Sequence, residues 1–259
     1  MNEIICIYKP QGLTPVQLIE KFRKFKPEYQ DVKIGFAGRL DPLAHGLMLL
    51  TVGGKNFDRQ QYLNLPKTYK FSTLFGIATD SYDYLGILRN MNVSQAPKDL
   101  EERIRKFIDN HKGKMIQPYP PFSSKTINGI QMYKLAKLNK LNQLTIPTRE
   151  VEIFDFKSLA IKEVPAFEIE KIIIENLNKI RGLFRQEEVK DLWKKLFKDN
   201  FNYKFSLAEF EIKCSSGTYV RSLANKMGEE FGCGAIAFEI NRIEVGDYKS
   251  KDALVLAEI

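Results

Sequence analysis

The 259-residue chain has only three cysteines, two histidines and one tryptophan. Cys6, Cys214 and Cys233 form neither a CxxC pair nor an even-numbered disulfide framework. With His45 and His111 as the only imidazoles, a zinc site is short of ligands. No metal is therefore expected, and a reducing cytoplasm is the plain compartment. No window approaches the eighteen or so continuous apolar residues that a membrane span requires. The opening MNEIICIYKPQG lacks the basic start, long apolar centre and small-residue cleavage site of a secretory leader. Repeats, low-complexity tracts and flexible linkers are missing too, so nothing divides the chain. Gly53-Gly54-Lys55 lacks P-loop spacing, which leaves an ATP-dependent activity without support.

What is present suits a folded protein that meets a polyanion. Hydrophobic residues make up 44% and charged residues 28%, enough for one main domain with a sizeable core. Forty Lys and Arg against thirty-two Asp and Glu leave a formal charge of +8, and nucleic acid is the leading partner class.

The pattern predicts a strand over residues 3–8, then the turn KPQG and a helix with Thr14 as N-cap and Pro15 at N1. TYKFSTLFG reads as a strand running into the polar loop IATDSYDYLG. Leu100, Ile104, Phe107 and Ile108 mark one face of a helix, and QPYPPFSSKTINGIQMYKLAKL reads as a Pro-rich surface loop or thumb that ends helically. Residues 166–198 carry two apolar stripes, Ile169, Ile172, Ile173, Leu177 and Ile180, then Val189, Leu192, Trp193 and Leu196. They predict a helical hairpin broken near Gly182. A strand through Phe205, Leu207, Phe210 and Ile212, with imperfect alternation, precedes a helix in TYVRSLANKMGEEFG. Strands and helices without a βαβ rhythm imply an α+β fold.

One carboxylate stands out. KIGFAGRLDPLAHGLMLLTVG, residues 33–53, holds a single acid, Asp41, between glycines and an apolar run. Asp before Pro is a common turn, and Gly35, Gly38 and Gly46 allow tight backbone there, so the segment alone does not name a chemistry. Four further segments keep it company in order: YKPQGLTPVQLI, KTYKFSTLFG with TDSYDYLG, QPYPPFSSKTINGIQMYKLA, and CSSGTYVRSLANKMGEEFGCGA. Together with GRLDPLAHG they resemble the TruB-type tRNA pseudouridine synthases over nearly the whole chain.

The resemblance implies a mixed, largely antiparallel sheet with flanking helices around a central RNA-binding cleft. It implies conversion of uridine 55 in the T loop of tRNA to pseudouridine, without a cofactor. That reaction breaks the bond from ribose C1′ to base N1 and joins C1′ to C5, with no net redox change or hydrolysis. It needs an ionised carboxylate, as nucleophile or as base, close to the sugar of a uridine turned out of its stack. By resemblance Asp41 is that group, Arg221 its compensating cation, and Tyr69 the ring that packs on the base. Asp83 matches a position lining the substrate cleft, while Asp80 caps the turn. Lys9 matches the family's leading lysine, which supports the active-site loop or touches phosphate. Arg39, Lys67, Lys70 and Lys125 are candidate phosphate contacts.

Three departures accompany the match. Phe36 stands where bacterial members usually carry a His five residues before the Asp. If that ring stacks beside the displaced base, Phe substitutes; if its nitrogen bonds RNA, binding weakens. His45 falls at a variable position of the signature. The chain stops eleven residues after NRIEVGDY, so no C-terminal PUA domain is expected and residues 1–259 read as one catalytic domain. Residues 166–198 read as an insertion, with a solvated helical decoration as the favoured view of it. No obligatory protein partner is evident, and a monomer is expected. Two alternatives stand beside the enzyme: an RNA-binding or tRNA-folding module with weak or lost catalysis, and a synthase for a T-loop-like stem-loop in another RNA.

Overall fold

The computed structural model describes residues 1–256. In chain order the elements are β1 (Ile4–Lys9), α1 (Pro15–Phe25), β2 (Ile34–Ala37), β3 (His45–Val52), α2 (Arg59–Asn64), β4 (Lys67–Phe75) and α3 (Leu100–His111). There follow β5 (Gly113–Pro118), β6 (Thr126–Ile127), β7 (Ile130–Gln131), α4 (Met132–Lys137), β8 (Thr148–Pro165), α5 (Ala166–Lys179) and α6 (Gln186–Asp199). The last are β9 (Lys204–Cys214), α7 (Val220–Phe231), β10 (Ala235–Val245) and β11 (Tyr248–Lys249). The main sheet runs β1-β3-β10-β4-β9-β8-β5, with β2 on β3 and β11 on β10. Its strand pairs are antiparallel except β3 with β10, where His45 faces Asn241 and Gly46 faces Arg242. This is the expected α+β arrangement.

Local signals explain several elements. Thr14 and Gln17 form a reciprocal capping box at α1, the Thr14 amide donating to Gln17 Oε1 at 2.8 Å and the Gln17 amide to Thr14 Oγ1 at 3.3 Å. Helix α3 buries all four residues of its predicted stripe. Gly232, at φ +74°, ends α7 in the left-handed conformation that a side chain disfavours.

The sheet is covered on both faces. On one, Phe71, Phe156 and Phe210 pack with Ile104 and Phe107 of α3 and with Leu223 and Met227 of α7. On the other, Leu74, Phe205, Leu207 and Phe238 pack under Ile169, Ile173, Trp193 and Phe197 of the α5–α6 hairpin. The imperfect alternation along β9 now has a cause. Phe205 and Leu207 point to the hairpin, and Ala208, Phe210 and Ile212 point to the opposite core, so the buried face changes sides midway.

The hairpin is present as predicted and breaks at Gly182 (φ +111°), but it is not a solvated decoration. Trp193 is fully buried and donates its Nε1 to the Tyr84 carbonyl at 2.9 Å, while Asn176 Nδ2 donates to the Tyr84 hydroxyl at 3.1 Å. Tyr84 belongs to the TDSYDYLG loop, so the hairpin is packed onto a segment of the cleft. Ile172 of the predicted stripe, 38% exposed, stays at the surface.

Candidate active site

The loop carrying Asp41 joins β2 to β3 and is held from beneath. Gly38 has φ +91°, and its carbonyl accepts from Arg242 Nη2 at 3.0 Å; Arg242 Nε donates to the Leu47 carbonyl at 2.8 Å. A single buried guanidinium thus ties both ends of the loop. Gly46 (φ +107°) lies so close to β10 that a Cβ there would come within 2.4 Å of the Arg242 carbonyl oxygen. Inside the loop the Ala44 amide donates to the Asp41 carbonyl at 3.1 Å, and the Gly12 amide to the Pro42 carbonyl at 2.9 Å. Lys9 is fully buried under this turn, its Nζ donating to the carbonyls of Pro10 at 2.9 Å and Pro42 at 3.4 Å. Burial pulls its pKa down to about 7, against the attraction of Asp41 and with a further push from Arg242. Of the two roles offered for Lys9, loop support matches its place; phosphate contact does not.

Arg221, in the first turn of α7, faces Asp41. The turn is anchored by Gln117, whose Oε1 accepts from the Tyr219 amide at 2.8 Å and whose Nε2 donates to the Tyr219 carbonyl at 3.1 Å. Arg221 Nε donates to Asp41 Oδ2 at 2.8 Å and lies 3.5 Å from Asp83 Oδ2. Its Nη1 donates to the Ser81 carbonyl and its Nη2 to the Phe122 carbonyl at 3.4 Å. Burial works against this cation, but Asp41 and Asp83 outweigh it, so its pKa stands above the ordinary value. Asp83 is raised, chiefly by burial, although Arg221 and hydrogen bonds from Ser81 Oγ (2.6 Å) and the Leu85 amide (3.0 Å) oppose the rise. Asp41 is the more open of the two acids, with 31% of its side chain exposed against 8% for Asp83. Asp80 caps the turn as expected, accepting from the Ile87 amide at 2.8 Å.

Two hollows meet at Asp41. One, of about 220 Å³, is lined by Asp41, Tyr69, Tyr219 and Ile240, with Arg39, Lys67, Arg149, Arg221 and Arg242 around them. Asp41 is the one acid in that lining. Tyr69 is 8% exposed, and burial pushes its phenol up. The other, of about 500 Å³, also reaches Asp41 and Arg221 and extends past Asp83 and Phe122 to the hairpin tip, Arg181 to Arg185. The expected residues Asp41, Tyr69, Arg221, Asp83 and Arg39 therefore converge.

Others do not. Lys67 is 4% exposed and its Nζ is committed to the Leu63 and Leu65 carbonyls at the end of α2, so it is an internal lysine beside the hollow instead of a surface phosphate contact. Burial lowers it to about 8. Lys70 alternates with Tyr69 along β4 and so leaves the sheet on the face away from the cleft. Phe36 pairs with Leu50 on β2 and packs partly on the core, lining neither hollow. Lys125 sits 5.4 Å over the Tyr119 ring. The Pro-rich stretch is no free thumb throughout, since Ser123 is buried and the Phe122 carbonyl serves Arg221. Arg242, Arg149 and Tyr219 were not singled out by sequence, because a lone Arg in a strand or loop carries no local signature. Among the described residues no group of three His, Cys, Asp or Glu is placed to hold a metal, and no helix is long and apolar enough to cross a membrane.

The chain is similar to known proteins in sequence and in fold. Residues 23–174 match the family described as TruB family pseudouridylate synthase (N terminal domain). The chain is 30% identical over 260 residues to tRNA pseudouridine synthase B of Clostridioides difficile, covering 100% of this chain and 70% of that protein. It is 28% identical over 258 residues to the protein of that name from Aquifex aeolicus, covering 100% and 73%. Among solved structures, a Cbf5-Nop10-Gar1 complex superposes with a TM-score of 0.58 at 18% identity, covering 98% of this chain and 52% of that one. An H/ACA RNP bound to a substrate RNA containing 2′-deoxyuridine gives 0.57 at 16% identity, covering 98% and 50%. At such identities these two show a shared fold, and the chain spans about half of the length of each.

Proposed function

The chain belongs to the TruB family of pseudouridylate synthases, and from that membership and its cleft we propose that it isomerises uridine to pseudouridine in the T loop of tRNA, at position 55. The observation that carries this reading is Asp41, the one acid in a hollow whose lining includes five basic side chains and two tyrosines, with Arg221 2.8 Å away. The relatives named for tRNA pseudouridine synthesis support the same substrate.

A flipped uridine enters the smaller hollow, where Tyr69 offers a ring face to the base and the exposed Arg39 and Arg149 meet the phosphates on either side. Arg221, donating to Asp41 Oδ2, keeps that carboxylate aimed as the C1′–N1 bond breaks. The base turns, C5 bonds to C1′, N1 gains a proton and C5 loses one, so atoms and charge balance without an oxidant or a hydrolytic water. Tyr69 is the group beside the base that can help move the C5 proton. All of these side chains come from one chain, and we read residues 1–259 as one catalytic unit that works as a monomer without a protein partner. We place it in the cytoplasm, where three unpaired thiols stay reduced.

The test is tritium release from C5-tritiated uridine in a transcribed tRNA, with the unsubstituted protein beside Asp41→Ala. Release by the former alone, with product mapped to the T loop, is expected. Tight tRNA binding with no release from either would sink the enzyme reading in favour of an RNA-folding module, and product elsewhere would redirect the substrate to another stem-loop.

A further inference from the structure

The tip of the α5–α6 hairpin is fastened on several sides. The Arg181 amide donates to the Gly12 carbonyl at 3.3 Å, Gln17 Nε2 to the Arg181 carbonyl at 3.2 Å, and Lys137 Nζ to the Leu183 carbonyl at 3.1 Å. Arg185 closes the tip in the left-handed region, φ +64°, a conformation that a side chain adopts only where its surroundings hold it there. Its Nη1 and Nη2 donate to Asp80 Oδ2 and Oδ1 at 3.0 and 3.3 Å, and its Cζ lies 4.8 Å from the Phe122 ring centroid. Arg185 therefore joins the Asp80 turn to the Phe122 loop.

Those two segments supply the carbonyls that hold the catalytic guanidinium. Ser81, next to Asp80, accepts from Arg221 Nη1, and Phe122 accepts from Arg221 Nη2. Arg221 Nε then engages Asp41. A shift of either loop would rotate the planar guanidinium and carry Asp41 with it.

We propose that Arg185 is a positioning residue for the isomerisation: it clamps the Asp80 turn to the Phe122 loop and thereby sets Arg221 against Asp41. This rests on the pseudouridine synthase reading above. Single-turnover tritium release and tRNA affinity are measured for the unsubstituted protein, Arg185→Ala, Asp80→Asn, the double variant and Arg185→Lys, with melting curves for each. Arg185→Ala and Asp80→Asn are each expected to slow the single-turnover step roughly 10- to 100-fold with tRNA Kd held within about two-fold. The double variant should be no slower than the worse single one, because both break the same link. Arg185→Lys should recover part of the rate, since it keeps the charge but loses the two-point contact, and it carries the test if the Ala form melts early. An unchanged rate, a loss confined to Kd, or losses that multiply would overturn the proposal, the Kd result marking Arg185 as an RNA contact. No release from the unsubstituted protein would instead overturn the synthase reading, and this proposal with it.

Discussion

Lys9 and Asp41 show how unequally neighbouring residues of one site declare themselves in a sequence. A lysine after a strand and before Pro leaves loop support and phosphate contact both open, and Lys9 is buried under the loop it supports. Its pKa falls from 10.5 to about 7, so between those values the unfolded chain binds more protons than the folded one. Stability therefore rises with pH across that window, by up to about 1.4 kcal/mol per unit. Lys9→Met is expected to flatten the rise, and urea midpoints at about pH 7, 8 and 9.5, below ordinary tyrosine titration, check it. An identical slope in both proteins would show that Lys9 titrates normally. Asp41 stood out because its signature is contiguous and four further segments in order accompany it. Arg242, which braces the same loop from 204 positions away, did not, because nothing near it in sequence tells which glycine it will reach.

Among the elements, the α5–α6 hairpin departs furthest from its expected character. Its amphipathic stripes were visible, but a stripe says that a face is buried and not what covers it. Here the cover is the TDSYDYLG loop and the ends of β4, β9 and β10, so the hairpin supports the cleft and borders it. Trp193→Ala is expected to cost about 3–5 kcal/mol, from the lost ring and an unpaired Tyr84 carbonyl. Urea unfolding followed by circular dichroism measures it, and a loss under about 1 kcal/mol would return the hairpin to the role of a decoration. Because Tyr84 adjoins Asp83, turnover should fall alongside stability. The strands β3, β8 and β10 had no clear alternation to announce them. β3 is buried on both faces, and β8 is exposed along much of its length.

For the molecule as a whole, a surplus of eight positive charges is a weak statement until the fold says where they sit. Arg39 is exposed and lines both hollows, whereas Lys70 leaves the opposite face of the sheet. If RNA lies across the cleft, Arg39→Gln should weaken tRNA binding at all T-loop sequences alike and reduce the slope of log K against log salt by about 1. Lys70→Gln should leave that slope unchanged. Affinities measured from about 50 to 200 mM salt decide the matter, and equal slopes in both variants would mean that the RNA contacts another surface.

The sequence by itself determined the family, the α+β class, the capped first helix and the acid proposed for the chemistry. Each of these is encoded locally, in a motif, a cap or a periodicity. Only the tertiary structure decided that Arg242 braces the loop of that acid, that Lys67 and Lys9 are internal, that Phe36 stands outside the hollows, and that the hairpin tip reaches the cleft. Those outcomes depend on contacts between residues far apart in the chain, such as Arg185 with Asp80 and Arg242 with Gly38, and such contacts are set when the fold brings its loops together.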